Sequence, residues 1–92
     1  MWTILEHKHL EKEIEAAPLQ VREKYELWKN IVRHGGPEGL RAIRGFNDEA
    51  LAGKLRGHRS SRLNQAWRVL YQVDREHVTV KVERVPKHDY RT

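Results

Sequence analysis

The residues of this sequence that are best suited to chemistry lie in its C-terminal half. Arg62 and Arg68 occur where polar and apolar residues alternate, and the last segment, Lys87–Arg91, contains His88 and Tyr90. A planar guanidinium donates paired hydrogen bonds to a phosphate and stays protonated. Histidine, whose ordinary pKa is about 6.5, exchanges protons near neutral pH. These residue types together fit the binding of a phosphodiester and proton transfer beside it.

Charge is segregated along the chain. The 18 Lys/Arg and 13 Asp/Glu residues give a net charge of +5. Residues 1–53 carry 8 basic and 9 acidic residues, a net of −1, whereas residues 54–92 carry 10 and 4, a net of +6. A basic half is expected for a nucleic-acid partner, because each phosphate that is neutralised releases condensed counterions. A solvated basic surface without a ligand is the alternative that charge alone leaves open.

Length and composition predict one small domain, residues 1–92, with a single core. Apolar residues make up 38% and charged residues 34%, which is within the range of folded proteins. The chain has no cysteine, which excludes disulfides and thiolate metal sites and agrees with a cytoplasmic location. It has neither a membrane-length apolar run nor a basic-then-apolar leader, so we expect a soluble, unsecreted protein without membrane contact.

Two helices are predicted in the first half. Met1–Leu5 could form a short strand, and Glu6–Ala17 has the composition of an amphipathic helix. Pro18 cannot continue that helix but suits the first turn of another, which Gly35-Gly36-Pro37 ends. The second helix carries an apolar stripe at helical spacing, formed by Val21, Tyr25, Trp28 and Val32. We interpret this stripe as core, since packing of such a face is what stabilises helices in proteins.

Strands are predicted in the second half. Residues 36–58 have no long period and are interpreted as a loop, with a short helical turn near Asn47–Leu55 that Asn47 could cap. From Arg59 onward the period becomes two, which predicts three strands at Arg59–Asn64, Trp67–Val73 and Val78–Val82, with a turn at Asp74–His77. The fold class is therefore α+β, a helix hairpin packed on a three- to four-stranded antiparallel sheet whose valines face the helices.

Strand alternation indicates which basic residues share a surface. Arg68 lies on the face opposite Trp67 and Val69, so its guanidinium projects to the open side if those two are buried. Arg62 shares a face with the polar Ser60 and Asn64 and should also point outward. A basic pocket is predicted there, completed by residues at the end of the last strand, the tail and the loop: Arg84, Lys87, His88, Tyr90, Arg91, Lys54 and Arg56.

The segment Leu51–Val73, with Leu51-Ala52-Gly53, then Arg59-Ser60-Ser61-Arg62-Leu63 and Trp67-Arg68-Val69-Leu70-Tyr71, resembles the central segment of RelE/ParE-superfamily toxins. The ending Val85–Arg91 is similar to the tails of RelE/HigB-type members. The resemblance covers about the last 50 residues, and the helix pair before them agrees in order and length.

This resemblance implies a RelE-like fold and the toxin of a type II toxin–antitoxin system. The activity it implies is that of a ribosome-dependent endoribonuclease, an mRNA interferase that cuts translated mRNA and is held inactive by a cognate antitoxin in a hetero-oligomer. The residues that it assigns to catalysis are Arg62, Arg68, His88 and Tyr90. The basic residues that we expect to bind RNA by their charge are Lys54, Arg56, Arg59, Arg84, Lys87 and Arg91. His88 stands where other members place Arg or Lys.

The chemistry of RNA is compatible with these residues and needs neither a metal nor a cofactor. RNA carries its own nucleophile, the 2′-OH, so an enzyme must orient it, remove its proton, stabilise the added negative charge and protonate the leaving oxygen. Arg62 and Arg68 suit charge stabilisation. His88 suits acid–base transfer, and Tyr90 suits either a base role or stacking on a nucleobase.

Other interpretations remain open at the level of sequence. A ParE-like toxin would share the fold but inhibit DNA gyrase by protein binding, and a basic RNA-binding module would catalyse nothing. Arg68 could instead pair with Glu83, and the tail could be frayed. Ser60-Ser61 lacks a recognisable His–Asp pair for nucleophilic catalysis, and the scattered histidines predict no metal site.

Overall fold

The computed structural model describes residues 1–87. The strands in this part of the chain are β1 (Thr3–Glu6), β2 (Glu49–Ala50), β3 (His58–Arg62), β4 (Arg68–Asp74) and β5 (Thr79–Arg84), and the helices are α1 (Leu10–Ala16), α2 (Leu19–Gly35) and α3 (Pro37–Arg41). Single 3₁₀ turns occupy Arg44–Phe46 and Gly53–Leu55. The predicted α+β class is confirmed.

The sheet differs from the prediction in size and direction. It has five strands in the order β1-β5-β4-β3-β2. Strand β1 runs parallel to β5, whereas the other neighbours are antiparallel, so the sheet is mixed and not antiparallel throughout. A parallel pair needs a long crossover, and here the chain between β1 and β5 supplies it. Strand β2 is two residues long, too short to show a period in the sequence.

The helix hairpin lies close to its predicted position. Helix α1 begins at Leu10 and not at Glu6, because β1 extends through Glu6. Pro18 immediately precedes α2, and the predicted stripe of Val21, Tyr25, Trp28 and Val32 is buried as expected. Among residues 1–87, no helix has the length and apolar character needed to cross a bilayer.

The stretch 36–58 is more ordered than predicted. Its helix α3 begins with Pro37 at the first turn, and Leu40 and Phe46 are fully buried. Asn47 does not begin a turn as predicted: it ends the turn Arg44–Phe46 as its C-cap, in a left-handed conformation with φ of 43°. Single buried anchors several residues apart produce no period, which is why the sequence predicts a loop.

The core forms between α2 and one face of the sheet. Trp28 of α2 meets Tyr71 of β4 edge to face, with ring centroids 5.2 Å apart. Val69, Val80 and Val82 complete this layer and are buried. Val78, predicted to open the last strand, lies instead in the preceding turn with φ of 50° and 42% exposure. No helix formed by residues 1–87 packs on the other face of the sheet.

The junction between α2 and α3 gives a test of backbone strain. Gly36 has φ of 71° and ψ of −176°, a region open almost only to glycine, and a Cβ there would lie 2.6 Å from Nε1 of Trp2. We expect Gly36→Ala to lower the free energy of unfolding in urea by about 1–3 kcal/mol from the backbone alone. Gly35→Ala is the matched control, since Gly35 is helical and a Cβ there meets nothing within 4 Å. Equal stability of the two variants would contradict this account.

A second test concerns pH. The Tyr25 hydroxyl donates to Oε2 of Glu6 at 2.6 Å, and burial, followed by this carboxylate, raises the pKa of Tyr25 above its usual range. The folded chain therefore keeps the phenol proton where the unfolded chain loses it, so the free energy of unfolding falls as pH rises above about 10. Measured by urea unfolding, the free energy of unfolding of Tyr25→Phe should fall less steeply with pH across this range than that of the unmodified chain. An unchanged slope would exclude this phenol as the cause.

Candidate functional site

The face of the sheet opposite α2 carries several polar residues of β3 and β4, whereas Arg59, Ser61 and Tyr71 of the same strands lie on the helix side. Strand alternation places His58, Ser60 and Arg62 on this open face, and the register pairs them with Gln72, Leu70 and Arg68 in turn. Arg62 and Arg68 are thus direct neighbours on adjacent strands. The arginine cluster is formed by these two residues together with Ser60 and Glu49.

The arginine cluster has unsatisfied positive charge. Like charges directly opposite one another destabilise a sheet. Nη1 of Arg68 donates to Oγ of Ser60 at 3.2 Å and lies 3.6 Å from Oε1 of Glu49. Within residues 1–87, Nε of Arg62 and Nε of Arg68 are buried without a hydrogen-bond partner. Buried donors without acceptors are rare in folded proteins, so these two donors, beside two opposed positive charges, make the cluster a candidate anion site.

Glu49 is a member of the cluster that sequence reasoning missed. It pairs with Ser60 across β2 and β3, which places it on the open face beside Arg68. Its side chain is half exposed, at 52%. A two-residue strand has no period, so only its pairing with β3 reveals which face Glu49 occupies.

A histidine–carboxylate pair lies on the same face and was also missed. Nε2 of His58 is 3.0 Å from Oε2 of Glu83, and this contact spans from β3 to β5. Within residues 1–87, Nδ1 of His58 is buried without a partner. The spacing of His58, Ser60 and Arg62 would have found this histidine had the strand been predicted to begin one residue earlier. Glu83 thus contacts His58 and not Arg68.

The opposite face of β3 supports a buried polar network. Oδ1 of Asp48 accepts a hydrogen bond from Nε of Arg59 at 2.8 Å and lies 2.7 Å from its Nη2. Oδ2 accepts hydrogen bonds from the hydroxyl of Ser61, at 2.6 Å, and from the hydroxyl of Tyr71. The Ser61 hydroxyl in turn accepts Nε1–H of Trp28 at 2.9 Å. The Asp48 side chain is completely buried. We call these five residues the Asp48 network.

The electrostatics of this network are those of a closed, satisfied site. Burial raises the pKa of Tyr71 above its ordinary value, and the hydrogen bond to Asp48 raises it further. Burial alone would lower the pKa of Arg59, but the contact with Asp48 reverses this and raises it. Arg59, predicted to bind RNA, is therefore held on the helix side and is not part of the arginine cluster.

The remaining predicted residues are placed as follows. Arg84 donates to Oε2 of Glu13 through Nε at 3.1 Å and Nη2 at 2.8 Å, so its guanidinium is bound to α1. Lys54 and Arg56 are exposed in the segment before β3. Lys87 is exposed and forms a β-bridge with Trp67, the residue before Arg68. The predicted site residues His88, Tyr90 and Arg91 lie outside the described residues.

One possible metal-ligand group occurs in the part of the chain that the structure describes. Asp74, Glu76 and His77 bring their ligand atoms within 4.8 Å of one another in the turn after β4. Nδ1 of His77 is 2.8 Å from Oδ2 of Asp74. This group lies at the end of β4 opposite to Arg68, apart from the arginine cluster.

The fold is similar to that of solved toxins. The archaeal RelE of a RelE–RelB complex from Pyrococcus horikoshii matches with a TM-score of 0.74 and 20% identity, covering 99% of this chain and 98% of that one. YafQ of an Escherichia coli DinJ–YafQ complex matches with a TM-score of 0.76 and 16% identity, covering 96% of this chain and 94% of that one. YoeB of a heterotetrameric YoeB–YefM complex from Staphylococcus aureus matches with a TM-score of 0.67 and 26% identity, covering 98% of this chain and 99% of that one. The predicted RelE-like fold is confirmed. No protein-family model and no curated protein matches the sequence.

The arginine cluster predicts separate effects on binding and on stability. Arg62→Gln and Arg68→Gln should each weaken binding of a single-stranded RNA oligomer and reduce the log–log salt slope by about 0.7 for each phosphate that is no longer neutralised. Neither should lower the free energy of unfolding, because each removes a like-charge repulsion. Fluorescence anisotropy and urea unfolding measure the two effects. Arg22→Gln, on the exposed side of α2, is the charge-matched control. Equal weakening by the control would mean that net charge, and not the cluster, binds RNA.

Proposed function

We propose that this chain, which has the fold of RelE-superfamily toxins, is the toxin of a type II toxin–antitoxin system and a ribosome-dependent endoribonuclease that cleaves translated mRNA. The observation that carries this proposal is the opposed pair Arg62 and Arg68 on an open sheet face, whose buried Nε donors have no hydrogen-bond partner among residues 1–87. A phosphodiester supplies the negative charge and the acceptors that this pair lacks.

The proposed reaction uses the 2′-OH of the RNA as nucleophile. A base takes the 2′-OH proton, the 2′-oxygen bonds to phosphorus, and the bond from phosphorus to the 5′-oxygen breaks. The leaving oxygen takes a proton from an acid, which leaves a 2′,3′-cyclic phosphate and a 5′-hydroxyl. Neither step needs a metal ion or an external cofactor, because the nucleophile is part of the substrate.

The roles of the residues follow from charge and position. Arg62 and Arg68 stabilise the negative charge that grows on the phosphoryl oxygens. Glu49 contacts Arg68 and is half exposed, which supports its proposed role as a proton acceptor beside the phosphate. His88 and Tyr90 are proposed acid–base groups from the sequence resemblance. Lys54, Arg56, Lys87 and Arg91 are proposed to hold the RNA backbone, with Arg59 and Arg84 contributing only long-range charge.

The proposed partners are an antitoxin, the ribosome and its mRNA, in the cytoplasm. The similar RelE, YafQ and YoeB chains were solved in complexes with RelB, DinJ and YefM. An antitoxin segment with acidic groups would complement the positive charge of Arg62 and Arg68 and close the open face. We therefore propose a hetero-oligomer in which the antitoxin covers the arginine cluster.

The test is a defined message translated by purified ribosomes with and without the protein. We expect cuts in the codon at the ribosomal A site, and uncut message at saturating protein would exclude the nuclease. Arg68→Ala, His88→Ala and Tyr90→Ala should each lower the single-turnover rate by about 10²-fold or more if the residue acts in the chemical step. Arg22→Ala is the control for loss of one positive charge.

Two outcomes would redirect the proposal. Intact message together with inhibited DNA supercoiling by gyrase would favour the ParE-like alternative. Tight RNA binding without cutting on or off the ribosome would favour a non-catalytic RNA-binding module. Full activity of His88→Ala and Tyr90→Ala would remove the tail from the chemistry and leave Glu49 as the remaining proton acceptor of the cluster.

A further inference from the structure

We propose that Asp48 is a positioning residue: its buried carboxylate on the helix side of the sheet places Glu49 against Arg68 on the open face. This inference rests on the proposed function, because it assigns Glu49 a task at the phosphate. The Asp48 side chain is completely buried, and its hydrogen bonds go to residues outside the arginine cluster. Its effect on the site is transmitted through the backbone of the next residue.

The donors to Asp48 come from the two strands that carry the arginines. Arg59 and Ser61 belong to β3, and Tyr71 belongs to β4. Ser61 directly precedes Arg62 in the chain. The Asp48 carboxylate therefore links the start of β2 to both strands. The β3 residues that donate to it alternate with Ser60 and Arg62, whose side chains point to the open face.

Strand β2 has little else to hold it. Glu49 and Ala50 are both exposed and pair with β3, and the next residue, Leu51, adds one backbone hydrogen bond from its N–H to the carbonyl of His58 at 3.0 Å. The residue before Asp48, Asn47, has a left-handed backbone that turns the chain after the buried Phe46. Asp48 is therefore the buried side chain nearest to Glu49 along the chain. Removal of its hydrogen bonds frees the segment that sets the distance from Glu49 to Arg68.

A buried ion pair is in itself poor evidence for stabilisation. Desolvation of a buried ion pair can cost as much as its attraction returns, and apolar residues of similar volume often stabilise a fold equally well. What a carboxylate with four directed donors provides is one defined position. A group that must take a proton from a bound 2′-OH needs such a position, since about 1 Å of misplacement can cost on the order of 10²-fold in rate.

The experiment is a double-mutant cycle of Asp48→Asn and Glu49→Gln, measured as single-turnover cleavage of message on ribosomes at saturating protein. Asp48→Asn keeps the shape of the side chain but removes its charge and one acceptor. We expect it to lower the rate by about 10- to 100-fold with a nearly unchanged KM, because Arg62 and Arg68 still bind the RNA. In the Glu49→Gln background the same substitution should change the rate by less than about threefold.

A merely structural role predicts a different result. Asp48→Asn would then lower the rate by the same factor in both backgrounds, and this outcome would overturn the proposal. Val32→Ala is the control for destabilisation without displacement of β2, since Val32 is buried near the end of α2. If Asp48→Asn fails to fold, Tyr71→Phe is the alternative, since it removes a single donor to Asp48. It should lower the cleavage rate by a smaller factor, and this loss should again be present with Glu49 and absent in the Glu49→Gln background.

A measurement that does not depend on RNA cleavage separates this inference from the proposed nuclease. Backbone nuclear Overhauser effects between Glu49 and Ser60, which pair directly across β2 and β3, should be present in the unmodified chain. They should disappear in folded Asp48→Asn and persist in Val32→Ala. Their persistence in Asp48→Asn would refute positioning by Asp48, even where cleavage is observed. Their disappearance in Asp48→Asn, when the unmodified chain cuts no RNA, would refute the nuclease and leave positioning intact.

Discussion

The hydrogen bonding of one buried carboxylate determines how the two faces of the sheet relate to each other. Asp48 lies inside the helix–sheet layer and receives donors from β3 and β4, while Trp28 of α2 reaches it through Ser61. An isolated buried charge would cost far more than the layer could return, so each of these donors is needed.

The same two strands supply the interior and the candidate site. Along β3 the inward residues Arg59 and Ser61 are satisfied, whereas the outward Arg62 faces Arg68 with a donor left unpaired within residues 1–87. Repulsion across β3 and β4 lowers stability, and the aromatic and valine packing of α2 on the inner face offsets it. This division is expected of a binding surface, where local strain persists because the surrounding core imposes it.

Sequence reasoning recovered the features that repeat. The stripe on α2, with Trp28 at its centre, and the alternation that places Arg62 and Arg68 on one face are both present in the structure. It failed where one residue acts alone: Phe46 as an anchor, Asn47 in a left-handed turn, and Glu49 in a two-residue strand. None of these has a period, and each is defined only by what packs against it.

The sequence by itself determined the fold class, the basic half and the two arginines of the open face, because periodicity and charge are local properties that survive without a partner. Only the tertiary structure decided that Arg59 faces Asp48, that Arg84 faces Glu13, and that Glu49 reaches Arg68. The local sequence shows that a residue is basic but not which groups surround it. Its charge is either neutralised by a carboxylate of the same chain or available to a ligand, and the pairing of strands that are distant in sequence determines which.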